Sequence, residues 1–317
     1  MKKALKIIGK ILLGLLILLV VFLIVMTVIN QVMLNKENEL LKSYPGERVE
    51  IDGHIMNIYT EGEGEHTLVF IAGFGTSSPV YDLKRLTDVQ SRDNKIAVIE
   101  KFGYGSSDIV DTDRSVDTMI RQDREALEKA GVEAPYILCP HSMGGLEALL
   151  WAQKYPDELE AIIGIDPAFP DDYNDFDAEG TYKSMDLLNH LIKLGVGRLI
   201  NTAISDHGDI LSDEDMAMYK ALIYKNMANK SYVNEVLGVP DACAEINSNP
   251  KPAMPMLILI GAGTATTGPS WIESKYSYAE GCDNIETAEL NCKHNMQNIK
   301  PDEINERMKE FIAGLDK

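Results

Sequence analysis

The sequence predicts an α/β fold: a mostly parallel sheet of eight strands with helices on both faces, preceded by a membrane-spanning helix at the N-terminus. Three observations predict it. Eight short apolar or alternating runs recur along the chain, separated by helical stretches, which is the pattern of strand–helix–strand units. Several of these runs are apolar almost throughout, as strands buried on both faces must be. A stretch near the start is apolar beyond the needs of a globular core.

That stretch is "ILLGLLILLVVFLIVMTVI", residues 11 to 29, nineteen residues without a charge. At about 1.5 Å per residue it covers about 28 Å, close to the thickness of a bilayer core. A cleaved signal would carry a shorter apolar region and a small-x-small site, and "TVINQVMLNKEN" downstream contains no such site. Residues 1–34 are therefore expected to form a cytoplasmic tip and an uncleaved transmembrane anchor. Lys2, Lys3, Lys6 and Lys10 precede the run and a mixed "NKENE" follows it. The positive-inside bias then keeps the N-terminus in the cytoplasm and puts the large domain outside the cell membrane. The lipid bilayer is thus one expected partner.

The rest of the chain is acidic. The formal net charge is −19, and because four lysines fall in the first ten residues, the remainder carries −23. Such a surface repels phosphate backbones, so nucleic-acid binding is not expected, and a neutral or cationic small-molecule substrate suits it better than an anionic one. A hydrophobic content of 45% is ample for a large core.

After a polar linker at about residues 35 to 45, "ERVEID" and "HIMNIYT" alternate apolar with polar residues around Asp52-Gly53, a hairpin signal. "TLVFIA", "KIAVIE", "YILCP", "AIIGID", "MPMLILI" and "NIETAEL" follow as strands. Helices are expected over 78–89, 115–131, 142–156 and 301–315. Gly131 ends the second of these and Pro301 begins the last, each in its preferred place. Residues 167–250 show no strand pattern and end in the proline-rich "NSNPKPAMP". They are expected as a helical cap inserted at the carboxyl edge of the sheet, between a first core segment at 35–166 and a second at 251–317. Cys139 is expected as a buried side chain. Cys282 and Cys292 flank a strand and lie ten residues apart, about 33 Å when extended, too far to pair unless the chain bends back.

"YILCPHSMGGLEALL" reads as strand, sharp turn and helix with Ser142 at the corner, the context of a nucleophile elbow. Gly144 provides the small residue two positions after the serine. Pro140 stands where glycine is usual, but it is compact, and its missing N–H falls at a strand end. The competing reading of Ser142 is an ordinary helix N-cap.

With these segments in place the chain resembles the α/β-hydrolase superfamily of serine hydrolases. "LVFIAGFGTSS" is similar to the strand and oxyanion loop, with Ala72 in place of a histidine. "VIEKFGYGSSD" is similar to the fourth strand and its turn, "PHSMGGLEALLWAQKYPDELEAIIGIDPA" to the elbow, helix and next strand, and "CKHNMQNIKPDEINERMKEFI" to the terminal histidine loop and last helix. The resemblance implies Ser142 as nucleophile and His294 as base. His54, His66, His141, His190 and His207 are expected to be structural or solvated. The usual acid slot, "GAGTATTGPSWI" at 261–272, holds no carboxylate. Some members, resembling the pancreatic-type lipases, place the acid after the next strand, which implies Asp166; Glu273 and Asp283 remain open. The oxyanion hole would use the N–H groups of Phe74 and Met143. No metal or cofactor motif is visible, and "GAGTATTG" reads as a loop. The expected activity is serine hydrolysis of a carboxylic ester or lipid-like acyl substrate. A proline-iminopeptidase-like amide hydrolase and a non-catalytic tethered binding module are the alternatives.

Overall fold

The computed structural model describes residues 2–199, 209–263 and 268–315. His207 and residues 264–267 of the glycine-rich stretch lie outside them. Helix α1 (Lys2–Leu40) contains the uncharged run and is long and apolar enough to cross a membrane. Its apolar side chains are exposed over most of its length, Leu18 at 68%, while Met26 is covered. The linker expected at 35–45 is instead helical to Leu40 and ends in a 3-10 turn, Leu41–Ser43. Nothing in "NKENEL" breaks a helix, and the Arg198 guanidinium holds Glu37 in a two-pronged ion pair at 2.8 and 2.7 Å.

The strands β1 (Glu47–Ile51), β2 (His54–Glu61), β3 (Thr67–Ile71), β4 (Lys95–Glu100), β5 (Tyr136–Ser142), β6 (Leu159–Pro167), β7 (Met256–Gly261) and β8 (Ile285–Leu290) form one sheet in the order β1-β2-β4-β3-β5-β6-β7-β8. Only β2 runs antiparallel to its neighbours β1 and β4; the other pairings are parallel. The two-residue period of a strand sends alternate side chains to opposite faces. Val69, Ile71 and Leu138 therefore enter one core with α4 (Val116–Lys129) and α5 (Gly144–Lys154). Leu68, Phe70, Ile137 and the buried Cys139 enter the other. That second core is closed by α2 (Pro79–Asp82), α3 (Lys84–Gln90) and α11 (Pro301–Leu315). The helix expected over 78–89 is thus two pieces, because Leu83 (φ −99°, ψ −1°) turns the chain between them. All four cysteines are free thiols.

Between β6 and β7 the described residues form α6 (Ala178–Lys193), α7 (Asp213–Asn226) and α8 (Lys230–Ser248), and no strand. Then come α9 (Pro269–Ala279) and α10 (Met296–Ile299). Helix α8 is tied to the core by buried charge. Lys101 Nζ donates to Glu147 Oε2 at 2.8 Å, and Glu235 on α8 accepts from Tyr104 at 2.7 Å and pairs with Arg114 at 3.3 Å. Asp123, 1% exposed, lies in the same cluster with no donor to either oxygen among the described residues, and Glu147 Oε1 also lacks one there. Three acids then face two bases. Burial and the Glu147 carboxylate push the Asp123 carboxyl well above its usual range, so it keeps a proton and donates it to Glu147.

The consequence has a definite sign. A carboxyl whose folded pKa is raised gives stability that is present below its unfolded pKa and is lost as pH rises toward the folded one. Asp123→Asn keeps a donor for Glu147 and has no proton to lose. Urea midpoints should therefore diverge in favour of the variant as pH rises above about 4, the usual carboxylate value. Parallel profiles for parent and variant would contradict the proton assignment.

Candidate active site

β5 ends on Ser142 with φ 51°, a left-handed conformation that a residue bearing a Cβ adopts only under strain. The helix expected from 142 begins instead at Gly144, because that φ takes Ser142 out of helical geometry. The strain is held by close packing on either side. A Cβ on Gly144 would lie 2.8 Å from the Ile71 carbonyl oxygen, and one on Gly145 would lie 2.3 Å from that of Ala168. The first glycine is legible in the sequence. The second shows its purpose only when β6 is placed beside the elbow. Pro140 sits within β5, opposite Ile71 of β3 in the pairing register.

Asp166 stands one residue before the end of the neighbouring strand β6, fully buried and also left-handed at φ 46°. His294 follows β8 and precedes α10. The structure brings these three residues together. His294 Nε2 lies 2.8 Å from Ser142 Oγ, and His294 Nδ1 lies 2.6 Å from Asp166 Oδ2. An ionised carboxylate only accepts, so Nδ1 carries the ring proton and Nε2 is left to accept from the serine hydroxyl. Asp166 Oδ1 accepts from the Gly261 N–H and from Trp271 Nε1, each at 3.0 Å. Burial works against the charge, yet the hydrogen bonds from His294, Trp271 and Gly261 outweigh it and hold the Asp166 carboxyl below its ordinary value.

Trp271 is the site residue that sequence reasoning missed. It stands in the segment that lacks a carboxylate, and its ring also meets the His294 ring edge-on at 5.2 Å. Lys275 Nζ lies 3.2 Å above the indole and 2.7 Å from Asp172, and burial lowers its pKa to about 8 against the pull of that aspartate. Glu273 and Asp283 are exposed, and Asp166 occupies the Nδ1 side of His294.

His141 stacks at 4.8 Å on His294 and donates from Nε2 to the His294 carbonyl at 3.3 Å. Burial, and then the neighbouring imidazole, lower its pKa to about 4, so it is neutral near pH 7. His66 pairs with Glu160 at 3.0 Å, His54 faces Asp108 at 4.0 Å, and His190 reaches the Asp186 carbonyl at 2.7 Å.

Two cavities meet at Ser142 and His294. One, about 980 Å³, is bounded by Asp171–Phe176, Trp271 and Ile299. The other, about 310 Å³, is bounded by Gly73–Ser77 and by Tyr219 and Ile223 of α7. Phe74 lines the smaller one, and Met143 immediately precedes α5. Among the described residues neither the Phe74 nor the Met143 N–H has an acceptor, so both stay available to an outside oxygen. Among the same residues no group of three or more His, Cys, Asp or Glu side chains is arranged to hold a metal ion.

Known proteins share this architecture. The family model described as "Serine aminopeptidase, S33" matches residues 62–269. The uncharacterized protein YbdG of Bacillus subtilis (strain 168) is 34% identical over 99% of this chain and 100% of its own length. A thermophilic esterase from Thermogutta terrifontis superposes with a TM-score of 0.67 at 16% identity, covering 86% of this chain and all of the other. A loop variant of haloalkane dehalogenase DbeA from Bradyrhizobium elkanii does so with a TM-score of 0.62 at 16% identity, covering 85% and 96%. The two structures share the fold and are named for different chemistry, so the fold alone does not choose the bond to be cleaved. The sheet order, the strained serine corner and a family model spanning most of the chain converge: the protein belongs to the serine aminopeptidase S33 family of α/β-hydrolases.

Proposed function

We propose that the protein is a membrane-anchored serine hydrolase that cleaves a carboxylic ester or lipid-like acyl substrate through an acyl-enzyme. The observation that carries this reading is the unbroken hydrogen-bonded chain from Ser142 Oγ through His294 to Asp166, at 2.8 and 2.6 Å. Both lengths fall within the reach required of a nucleophile, its base and the base's orienting group. Ser142 Oγ attacks the acyl carbon while His294 Nε2 takes its proton. The carbonyl oxygen, now anionic, accepts from the Phe74 and Met143 N–H groups. His294 then gives the proton to the departing alkoxide, leaving an acyl-serine, and a water activated by His294 releases the acid and restores the hydroxyl. Asp166 remains ionised and stabilises the imidazolium. No cofactor takes part. Helix α1 crosses the membrane with its lysine-rich end inside, so the domain works on the outer side.

A specific observation favours a second reading, amide hydrolysis of a substrate with a free amino group. Asp171 and Asp175 are exposed carboxylates on the rim of the larger cavity, and the family description names an aminopeptidase. The test is a comparison of p-nitrophenyl acetate and butyrate with amino-acid p-nitroanilides, proline included, on the detergent-solubilised full chain. Ester turnover above anilide turnover is expected. Anilide turnover without ester turnover would overturn the ester reading, and a folded protein inert toward both would favour a binding module.

Trp271→Phe removes the indole donor to Asp166 Oδ1 while keeping the aromatic packing. A hydrogen bond to a charged group contributes about 1.5–3 kcal/mol, so kcat should fall roughly 10- to 100-fold with KM little changed. An unchanged kcat would show that Trp271 does not position the acid.

A further inference from the structure

The segment between β6 and β7 touches the apolar helix within its uncharged run. At the end of α6 the chain turns at Gly195 (φ 84°), where a Cβ would lie 2.4 Å from the Met26 carbonyl oxygen, so backbone meets backbone. Thr27 Oγ1 reaches the Leu194 carbonyl at 3.4 Å, and Met26 is 9% exposed under this contact. One turn further on, Arg198 donates to Asn30 at 2.6 Å and pairs with Glu37. Met26 lies three residues inside the end of the uncharged run at Ile29, a rise of about 4.5 Å. A bilayer that covers residues 11–29 therefore also reaches the end of α6.

The surface that α6 presents there is apolar. Leu187, Leu188 and Leu191 fall on one helical face and are 63%, 40% and 43% exposed, and Leu199 beyond the turn is 59% exposed. Lys183, His190 and Lys193 stand exposed along the same helix, suited to reach headgroups while the leucines sit deeper. In water such a face would be an uncovered liability. At the level of Met26 it has lipid beside it.

We propose that the α6 face lies in the membrane–water interface, seated in the same bilayer that α1 crosses, and that the catalytic domain is thereby held to the membrane at two places. The occupant is lipid, because the contact at Met26 and Thr27 sets this face beside the exposed apolar surface of α1, which includes Val25, Val28 and Ile29. The inference rests on α1 crossing the membrane and is independent of the chemistry at Ser142. Since α6 starts two residues after Phe176, which lies on the rim of the larger cavity, a seated α6 fixes the height of that rim above the lipid.

The test reconstitutes the full chain in phosphatidylcholine–phosphatidylglycerol vesicles with and without bromine on the upper acyl chain, and reads tryptophan emission above that of the parent. Leu188→Trp and Leu191→Trp replace exposed residues, so the fold tolerates them. Val20→Trp reports on α1, and Glu133→Trp, exposed ahead of β5 at the sheet end remote from Ser142, is the soluble-side control. A face seated about 5–10 Å deep should lose roughly half or more of its added emission to brominated lipid. Quenching at Val20, Leu188 and Leu191 but not Glu133 is the expected result. Quenching at Val20 without quenching at Leu188 and Leu191 overturns the proposal, including the case of blue-shifted but unquenched emission, which would mean that a second protein copy covers the face. No quenching at Val20 removes the membrane reading of α1, and the proposal with it.

Discussion

Ser142→Ala is expected to lower kcat/KM for a p-nitrophenyl ester by about 10⁴-fold or more, leaving what the oxyanion donors and binding alone provide. The fold should survive, because alanine keeps the Cβ and loses only the hydroxyl that meets His294 Nε2 at 2.8 Å. Ser142→Gly separates the chemistry from the strain. It should be equally inactive yet more stable than the parent by roughly 1 kcal/mol, since glycine occupies φ 51° without the penalty that serine bears there. Denaturant midpoints and initial rates on the three proteins check both statements. A Ser142→Ala variant that keeps most of its turnover would remove the nucleophile assignment.

Asp166→Asn is expected to cost roughly 1,000- to 10,000-fold in kcat with little change in structure. The geometry fixes the direction of the new amide. Two donors, Gly261 N–H and Trp271 Nε1, both point at the Oδ1 position, so the amide oxygen turns to them and the NH₂ group faces His294 Nδ1. Nδ1 must then accept, the ring proton moves to Nε2, and that nitrogen can no longer take a proton from Ser142. Rates measured from pH 6 to 10 should show the loss throughout, because the tautomer is set by the amide and does not titrate. A variant within tenfold of the parent would place the acid elsewhere, and Glu273→Gln and Asp283→Asn would then be the variants to measure.

The eight strands were legible because each is written locally, as alternation in β1 and β2 and as apolar runs in β5, β6 and β7. Ser142 was raised by a local signal, the strand-to-helix corner, whereas Asp166 and His294 followed from the family resemblance, and distance relations among the three lie outside what a sequence displays. The features that escaped depend on contacts across the chain. Trp271 reaches Asp166 from 105 residues away, and no pattern around "GPSWI" marks an indole as a donor. The helical continuation through residues 35–40 escaped for a similar reason. A polar run reads as a linker until Arg198, 161 residues on, is seen to hold Glu37. Gly145 carries no local sign of its purpose, and its need is set by the Ala168 carbonyl just beyond the next strand.

The most direct test of the central claim is intact-mass labelling of the full chain by a fluorophosphonate, run beside Ser142→Ala. An activated serine with two free N–H donors ahead of it should take up one adduct on the parent and none on the variant. A folded parent that takes up no adduct would contradict the account, leaving the strained corner at Ser142 as architecture without chemistry.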